Sequence, residues 1–153
     1  MTSQEALFKE ILIPVDGSRY SLAAVRLAGR LSHIHSSRIT LIHVIDTQVE
    51  EQLCRLKKGE CETIRRNMQE EAEGLVRDMK RELLELGADA ETMVLRGAPH
   101  EIILDIASNK ATDLIVMGKL GRRGIKRILL GSVAERVLEF STCPVLCVSE
   151  RSC

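Results

Sequence analysis

The chain predicts an α/β protein built on a single doubly wound sheet of five parallel strands with helices on both faces. Three observations lead there. Short apolar runs of strand length alternate with amphipathic stretches of helical period. The first and fourth of these runs end in glycine-bearing turns, Asp16-Gly17-Ser18 and Gly118-Lys119-Leu120-Gly121. The 153 residues, 44% of them apolar, suit one domain spanning 1–153, and a chain of this size buries roughly 70% of its unfolded surface.

Ile11-Leu12-Ile13-Pro14-Val15 is a continuous apolar run, the pattern of a strand buried on both faces. Ser18 is placed to cap a helix in which Leu22, Ala23, Leu27, Ala28 and Leu31 recur at helical spacing. After a polar stretch from Ser32 to Ser37, Ile39 to Ile45 forms a second strand, closing a βαβ unit whose strands pair in parallel. Asp46 to Glu60 contains no clear strand: a short helix with Val49, Leu53 and Leu56 on one side, a flap over the strand ends and an irregular excursion all fit it. From Glu62 onward, Ile64, Met68, Ala72, Leu75, Met79, Leu83 and Leu86 mark a long amphipathic helix that stops at Gly87. Its charges read as a solvated face with pairs such as Glu73 and Arg77.

Asp89 to Leu95 is a third strand, and Gly97-Ala98-Pro99 opens a helix with proline in its first turn and Ile102, Ile103, Ile106 and Ala107 as its buried stripe. Asp113 to Met117 is the fourth strand, Ser132 to Ser141 the next helix, and Pro144 to Ser149 the fifth strand.

Composition narrows the function. Lys plus Arg and Asp plus Glu both number 22, and aromatics are 2% of the chain, so neither a basic field nor stacking platforms point to nucleic acid. No apolar stretch suits a signal peptide or approaches the ~20 residues of a membrane span, so a cytoplasmic protein is expected. The five cysteines fit that compartment as free thiols, and with four histidines they make no zinc-site spacing.

The segment from Asp113 to Phe140 reads as strand, glycine loop, helix. Glycines leave backbone N–H groups bare at a strand end, and a helix N-terminus adds its positive dipole. Lys119, Arg122, Arg123, Lys126 and Arg127 all lie between Gly118 and Gly131. A phosphate chain suits such a place; a plain turn followed by a Ser132–Glu135 capping box accounts for the same residues without a ligand. In open parallel sheets the ligand site lies where the strand order reverses. The P-loop, the Gly-x-Gly-x-x-Gly fingerprint and the Gly-x-Ser-x-Gly elbow are missing, which removes simple P-loop kinases, dehydrogenases and serine hydrolases of that type.

Gly118, two residues, Gly121, nine residues, then Gly131-Ser132 resembles the glycine signature of the universal stress protein family in its nucleotide-binding form. Ile11 to Ser18, His43-Val44-Ile45-Asp46 and Cys143 to Val148 resemble other segments of the family in the same order. The resemblance implies a Rossmann-like sheet of order 3-2-1-4-5, with ATP or AMP between the first and fourth strands. By motif position it implies that Asp16 meets the ribose or a nucleotide-bound Mg²⁺ or Mn²⁺, and that Val44 lies by the adenine. Gly118 and Gly121 would admit ribose and phosphates, and Gly131, Ser132 and Val133 would hold phosphates, with Pro14, Val15, Met117, Lys119 and Arg122 completing the expected site. Lys119-Leu120 departs from the small residue followed by Arg or His that many members carry.

Three functions fit: a nucleotide-binding stress-response regulator, a slow Mg-dependent ATP hydrolase, or a nucleotide-free structural dimer module. The glycine segment supplies no convincing general base, so no catalytic residue is assigned. The fifth strand, at the sheet edge in that order, is the expected homodimer contact.

Overall fold

The structure is a computed structural model that describes residues 5–122 and 129–150. Its elements are β1 (Glu10–Pro14), α1 (Arg19–His35), β2 (Arg38–Asp46), α2 (Thr47–Leu56), α3 (Cys61–Glu85), β3 (Ala90–Gly97), α4 (Pro99–Asn109), β4 (Leu114–Gly118), α5 (Ser132–Phe140) and β5 (Val145–Val148). The strands form one sheet in the order β3-β2-β1-β4-β5, and every neighbouring pair is parallel. The chain is therefore α/β and doubly wound, with helices on both faces.

Side chains alternate along a strand, so each strand feeds two cores. Ile11, Ile13, Leu41, Leu114 and Val116 pack with Ala24, Val25 and Ala28 of α1 and Val76 and Leu83 of α3. Leu12, Ile42, Ile115 and Met117 pack on the other face with Ile103 and Ala107 of α4 and Ala134 and Val137 of α5. Full burial of a Leu, Ile or Val stabilises by about 1.5–3 kcal/mol, which explains why the central strands carry no polar residue between Ile11 and Val15.

The ends of α1 and α3 follow local chemistry. Ser18 caps α1, its Oγ accepting the Ser21 N–H at 3.1 Å. The helix runs through the polar stretch to His35 because the Ser32 hydroxyl donates back to the Gly29 carbonyl at 2.7 Å instead of competing for the chain. Gly87 takes φ +76, and the Ala88 N–H returns to the Leu83 carbonyl at 2.9 Å, which stops α3.

One open point is decided and three expectations are corrected. The 46–60 segment, which the sequence left open, contains the helix α2; along its apolar side Val49 is half-buried, Leu53 is 37% exposed and Leu56 81%, and its buried residue is Glu50. The Glu50 carboxylate lies between Arg65 and Arg96, from α3 and β3, and outweighs hydrophobic patterning in docking the helix. Glu73 accepts from Gln69 at 2.9 Å rather than pairing with Arg77. Leu86, the last residue of the predicted α3 stripe, is exposed. Cys54 and Cys61 form a disulfide, because the short α2–α3 connection brings their Cα atoms to 4.8 Å; Cys143 and Cys147 are free.

Among the described residues, no helix is long and apolar enough to cross a membrane.

Candidate functional site

The crevice begins where β1 and β4 part. β1 pairs with β2 through Pro14 and Ile42, but with β4 only at Ile11–Leu114 and Leu12–Ile115. The Val15 N–H donates to the Ile42 carbonyl at 2.8 Å, so by alternation the nitrogen of Pro14 faces β4 and has no hydrogen to offer it. The sheet splays there, at its topological switch point.

Two turns close on this opening. Asp16 Oδ1 accepts the Ser18 N–H at 2.9 Å, which leaves Oδ2 for the crevice. A Cβ on Gly121 would stand 3.0 Å from that Oδ2, so a bare backbone lets the second turn come up to the carboxylate. Gly17 has φ +81, and a Cβ there would lie 2.7 Å from the Arg122 guanidinium, which reaches back from the loop after β4 across the turn after β1. Gly118 has a different duty. A Cβ on it would meet Tyr20 Cβ at 2.8 Å and the Ser21 nitrogen at 2.9 Å, so its bareness seats β4 on the first turn of α1.

The third wall is the start of α5. Gly131 is the N-cap, with φ −71 and ψ 154 and no side-chain cap, and Ser132 is the first helical residue. The capping box expected at Ser132 and Glu135 is thus absent: the Glu135 N–H donates to the Gly131 carbonyl at 2.9 Å. The Gly131 N–H donates to the Lys119 carbonyl, also at 2.9 Å, and folds the glycine loop against the helix start. Helix geometry leaves the N–H groups of Ser132, Val133 and Ala134 without intrahelical acceptors at the positive end of the dipole.

Opposite lies the end of β2. The Ile42 carbonyl faces β1, so the N–H and C=O of Val44 face the same way, past the point where β1 has turned off. Continuation of the ladder would join the Val44 N–H to the Val15 carbonyl. His43 takes that carbonyl instead, its Nδ1–H donating at 2.7 Å. Val44 keeps a donor and an acceptor side by side at the crevice, without a backbone partner among the described residues.

The opening has two lobes. The narrower, about 260 Å³, is lined by Pro14, Val15, Asp16, Val44, Met117, Gly118, Lys119, Gly121, Gly131, Ser132 and Val133, all expected from sequence. The wider, about 650 Å³, shares Asp16, Val44 and Gly131 to Val133 with it and adds Arg122. Its size lies within the ~300–1,000 Å³ of small-molecule sites. Missed residues include Pro99 and Ile103 of α4, which form an apolar floor, and Asp46, which caps α2 by accepting the Gln48 N–H at 2.9 Å. Glu71 and Glu135 bring carboxylates to the wider lobe. No sequence signal near the glycine loop marks α3 or α4 as its neighbours. Arg123, Lys126 and Arg127 lie outside the described residues. Among those residues no group of three or more His, Cys, Asp or Glu forms a metal cage.

Comparison with known proteins gives a consistent result. Residues 7–149 match the model of the universal stress protein family. Universal stress protein MJ0531 of Methanocaldococcus jannaschii is 38% identical over 146 residues, covering 95% of this chain and 85% of that protein. The solved structure of hypothetical protein MJ0577, from the same organism, superposes with a TM-score of 0.81 at 32% identity, over 93% of this chain and 96% of that one. A universal stress protein of Archaeoglobus fulgidus solved with dAMP shares the fold, with a TM-score of 0.64 at 20% identity over 94% of this chain and 99% of that one.

Proposed function

The chain belongs to the universal stress protein family, and from that premise we propose that it is a cytoplasmic stress-response regulator that binds ATP or AMP in the β1–β4 crevice. The observation that carries this reading is the pairing, across one crevice, of the free Val44 backbone edge with the uncapped start of α5. An adenine offers a donor at N6 beside an acceptor at N1, the complement of the Val44 C=O and N–H. Phosphates suit the N–H groups of Ser132, Val133 and Ala134, assisted by Lys119 and Arg122. Asp16 Oδ2 suits ribose hydroxyls. It also suits Mg²⁺ or Mn²⁺, which bind through one or two carboxylates with the remaining positions left to phosphate and water. That the Archaeoglobus fulgidus relative was solved with dAMP supports the adenylate class.

Binding of the phosphates would change the surface beside Gly121 and Gly131, and a partner protein reads that change. Thermal unfolding with and without millimolar ATP, AMP and GTP tests the proposal. The expected result is a rise in Tm with the adenine nucleotides that exceeds the rise with GTP. Equal or absent shifts reject it.

A second reading, slow hydrolysis, draws on Glu71 and Glu135, which line the lobe that also holds Arg122 and would hold a water near the phosphates. Phosphate release during prolonged incubation with ATP separates the two. The regulator is also proposed to be a homodimer through β5, whose outer edge has no strand partner among the described residues.

A further inference from the structure

We propose that Cys54 and Cys61 are a reversible thiol–disulfide modification site that exchanges with low-molecular-weight disulfides of the glutathione class and thereby staples α2 to α3. The inference stands apart from nucleotide binding and is tested without nucleotide.

Placement carries it. Cys54 lies in the last turn of α2 and Cys61 is the first residue of α3, and the two are joined covalently in the structure. Both are half-buried, while the turn 57–60 is exposed. Gly59 in that turn takes φ +86, with nothing within 4 Å of where its Cβ would be, so the reversal has open space on its outer side. Cys61 sits at the positive end of a 25-residue helix whose N-cap, Glu60, makes no side-chain cap. The positive end of that helix dipole is the one feature there that favours an attacking anion, and Glu60 and Glu62 oppose it. The two free cysteines among the described residues are placed differently: the Cys143 Sγ lies 3.5 Å from the Ser141 hydroxyl, and Cys147 packs against the core beneath α5.

The chemistry balances. The Cys61 thiol gives its proton to solvent, and the thiolate attacks one sulfur of the small disulfide, expelling one thiolate and leaving a mixed disulfide on Cys61. The Cys54 thiolate then attacks the Cys61 sulfur and expels the second small thiolate. Two protein thiols lose two protons and two electrons, and the small disulfide becomes two thiols.

The bond has something to hold. At its N-terminal end α2 is fixed by the Asp46 cap and by Glu50 between Arg65 and Arg96. At its C-terminal end Leu56 is 81% exposed and Leu53 37%, so the cross-link adds a restraint where packing thins out. Val49 of α2 and Met68, Ala72 and Leu75 of α3 wall the wider lobe, so the state of the pair sets how firmly that wall is closed.

The test equilibrates the full chain in mixtures of reduced and oxidised glutathione, from strongly reducing to strongly oxidising, followed by acid quench, alkylation and peptide mass mapping. The expected result is one transition within the range. Alkylation of Cys54 and Cys61 is lost together across it, while Cys143 and Cys147 stay alkylated. Cys54→Ser should trap glutathione on Cys61 to a greater extent than Cys61→Ser traps it on Cys54. Hydrogen exchange in the last turn of α2 should be on the order of tenfold faster in the reduced chain. A pair that stays reduced in every mixture, or bonded in every mixture, overturns the proposal. So does equal glutathione capture at Cys143 or Cys147.

Discussion

The imidazole of His43 donates from Nδ1 to the carbonyl oxygen of Val15 at 2.7 Å, and this side-chain bond replaces the backbone bond with which β2 would otherwise extend its ladder on β1. His43→Phe removes the donor and lets the Val44 N–H close onto that carbonyl. Loss of one such bond to the ligand, about 1–1.5 kcal/mol, weakens ATP binding roughly tenfold. Titration calorimetry checks this against 1-deazaadenosine triphosphate, in which a C–H replaces the N1 acceptor. Discrimination between the two should shrink in His43→Phe and return in part in His43→Gln.

Gly118 and Gly131 should respond oppositely to a methyl group. At Gly118 a Cβ collides with Tyr20 and with the backbone of Ser21, so Gly118→Ala should cost about 1–3 kcal/mol of stability whether or not ligand is present. At Gly131 the φ of −71 suits any residue. A Cβ there would meet its neighbours only at 3.5 Å. Gly131→Val should therefore fold with little loss of stability and still lose the ATP-dependent rise in Tm. Urea unfolding and thermal shift together separate the two roles.

Glu50→Ala removes the carboxylate shared by Arg65 and Arg96 and should destabilise the protein by about 2 kcal/mol, the partly exposed arginines recovering some solvation. Glu50→Gln should lose less. Both are read from urea midpoints at unchanged slope.

The carbonyls of Pro144 and Val148 accept from the N–H groups of Ile115 and Lys119, at 3.0 and 2.8 Å, so it is Val145 and Cys147 that present their backbone outward. If β5 meets its copy, Cys147→Pro should yield folded monomers in light scattering after gel filtration. Val148→Pro should instead damage the fold, because Val148 is buried and bonded inward. A Cys147→Pro protein that is folded and still dimeric places the contact elsewhere.

Burial pushes the Cys147 thiol up from its ordinary value. The folded chain thus holds a proton that the unfolded chain releases, and the stability this supports is complete below the ordinary thiol pKa and declines as pH rises through the raised one. Cys147→Ala should lose less stability than the wild type between neutral and alkaline pH. Urea midpoints of both proteins on either side of the thiol range measure the difference.

The sequence alone determined the strands, the helices other than α2, and their parallel winding, because a buried strand must read as an apolar run and a surface helix as a periodic one. Ile11 to Val15 and the α3 pattern leave little choice. It also placed the glycines and Asp16 at strand ends, since turns demand particular residues. What tertiary structure decided is which groups meet. Glu50 outranked Leu53 and Leu56 because its counter-charges come from α3 and β3. Gly131 took the cap from Ser132 because its N–H is drawn to the Lys119 carbonyl. Cys54 found Cys61 across a turn whose path no periodicity reveals. Pro99, Ile103 and Glu71 reached the crevice from helices distant in sequence. Local pattern records what each residue needs from water, whereas pairing depends on the backbone path that carries one residue to another.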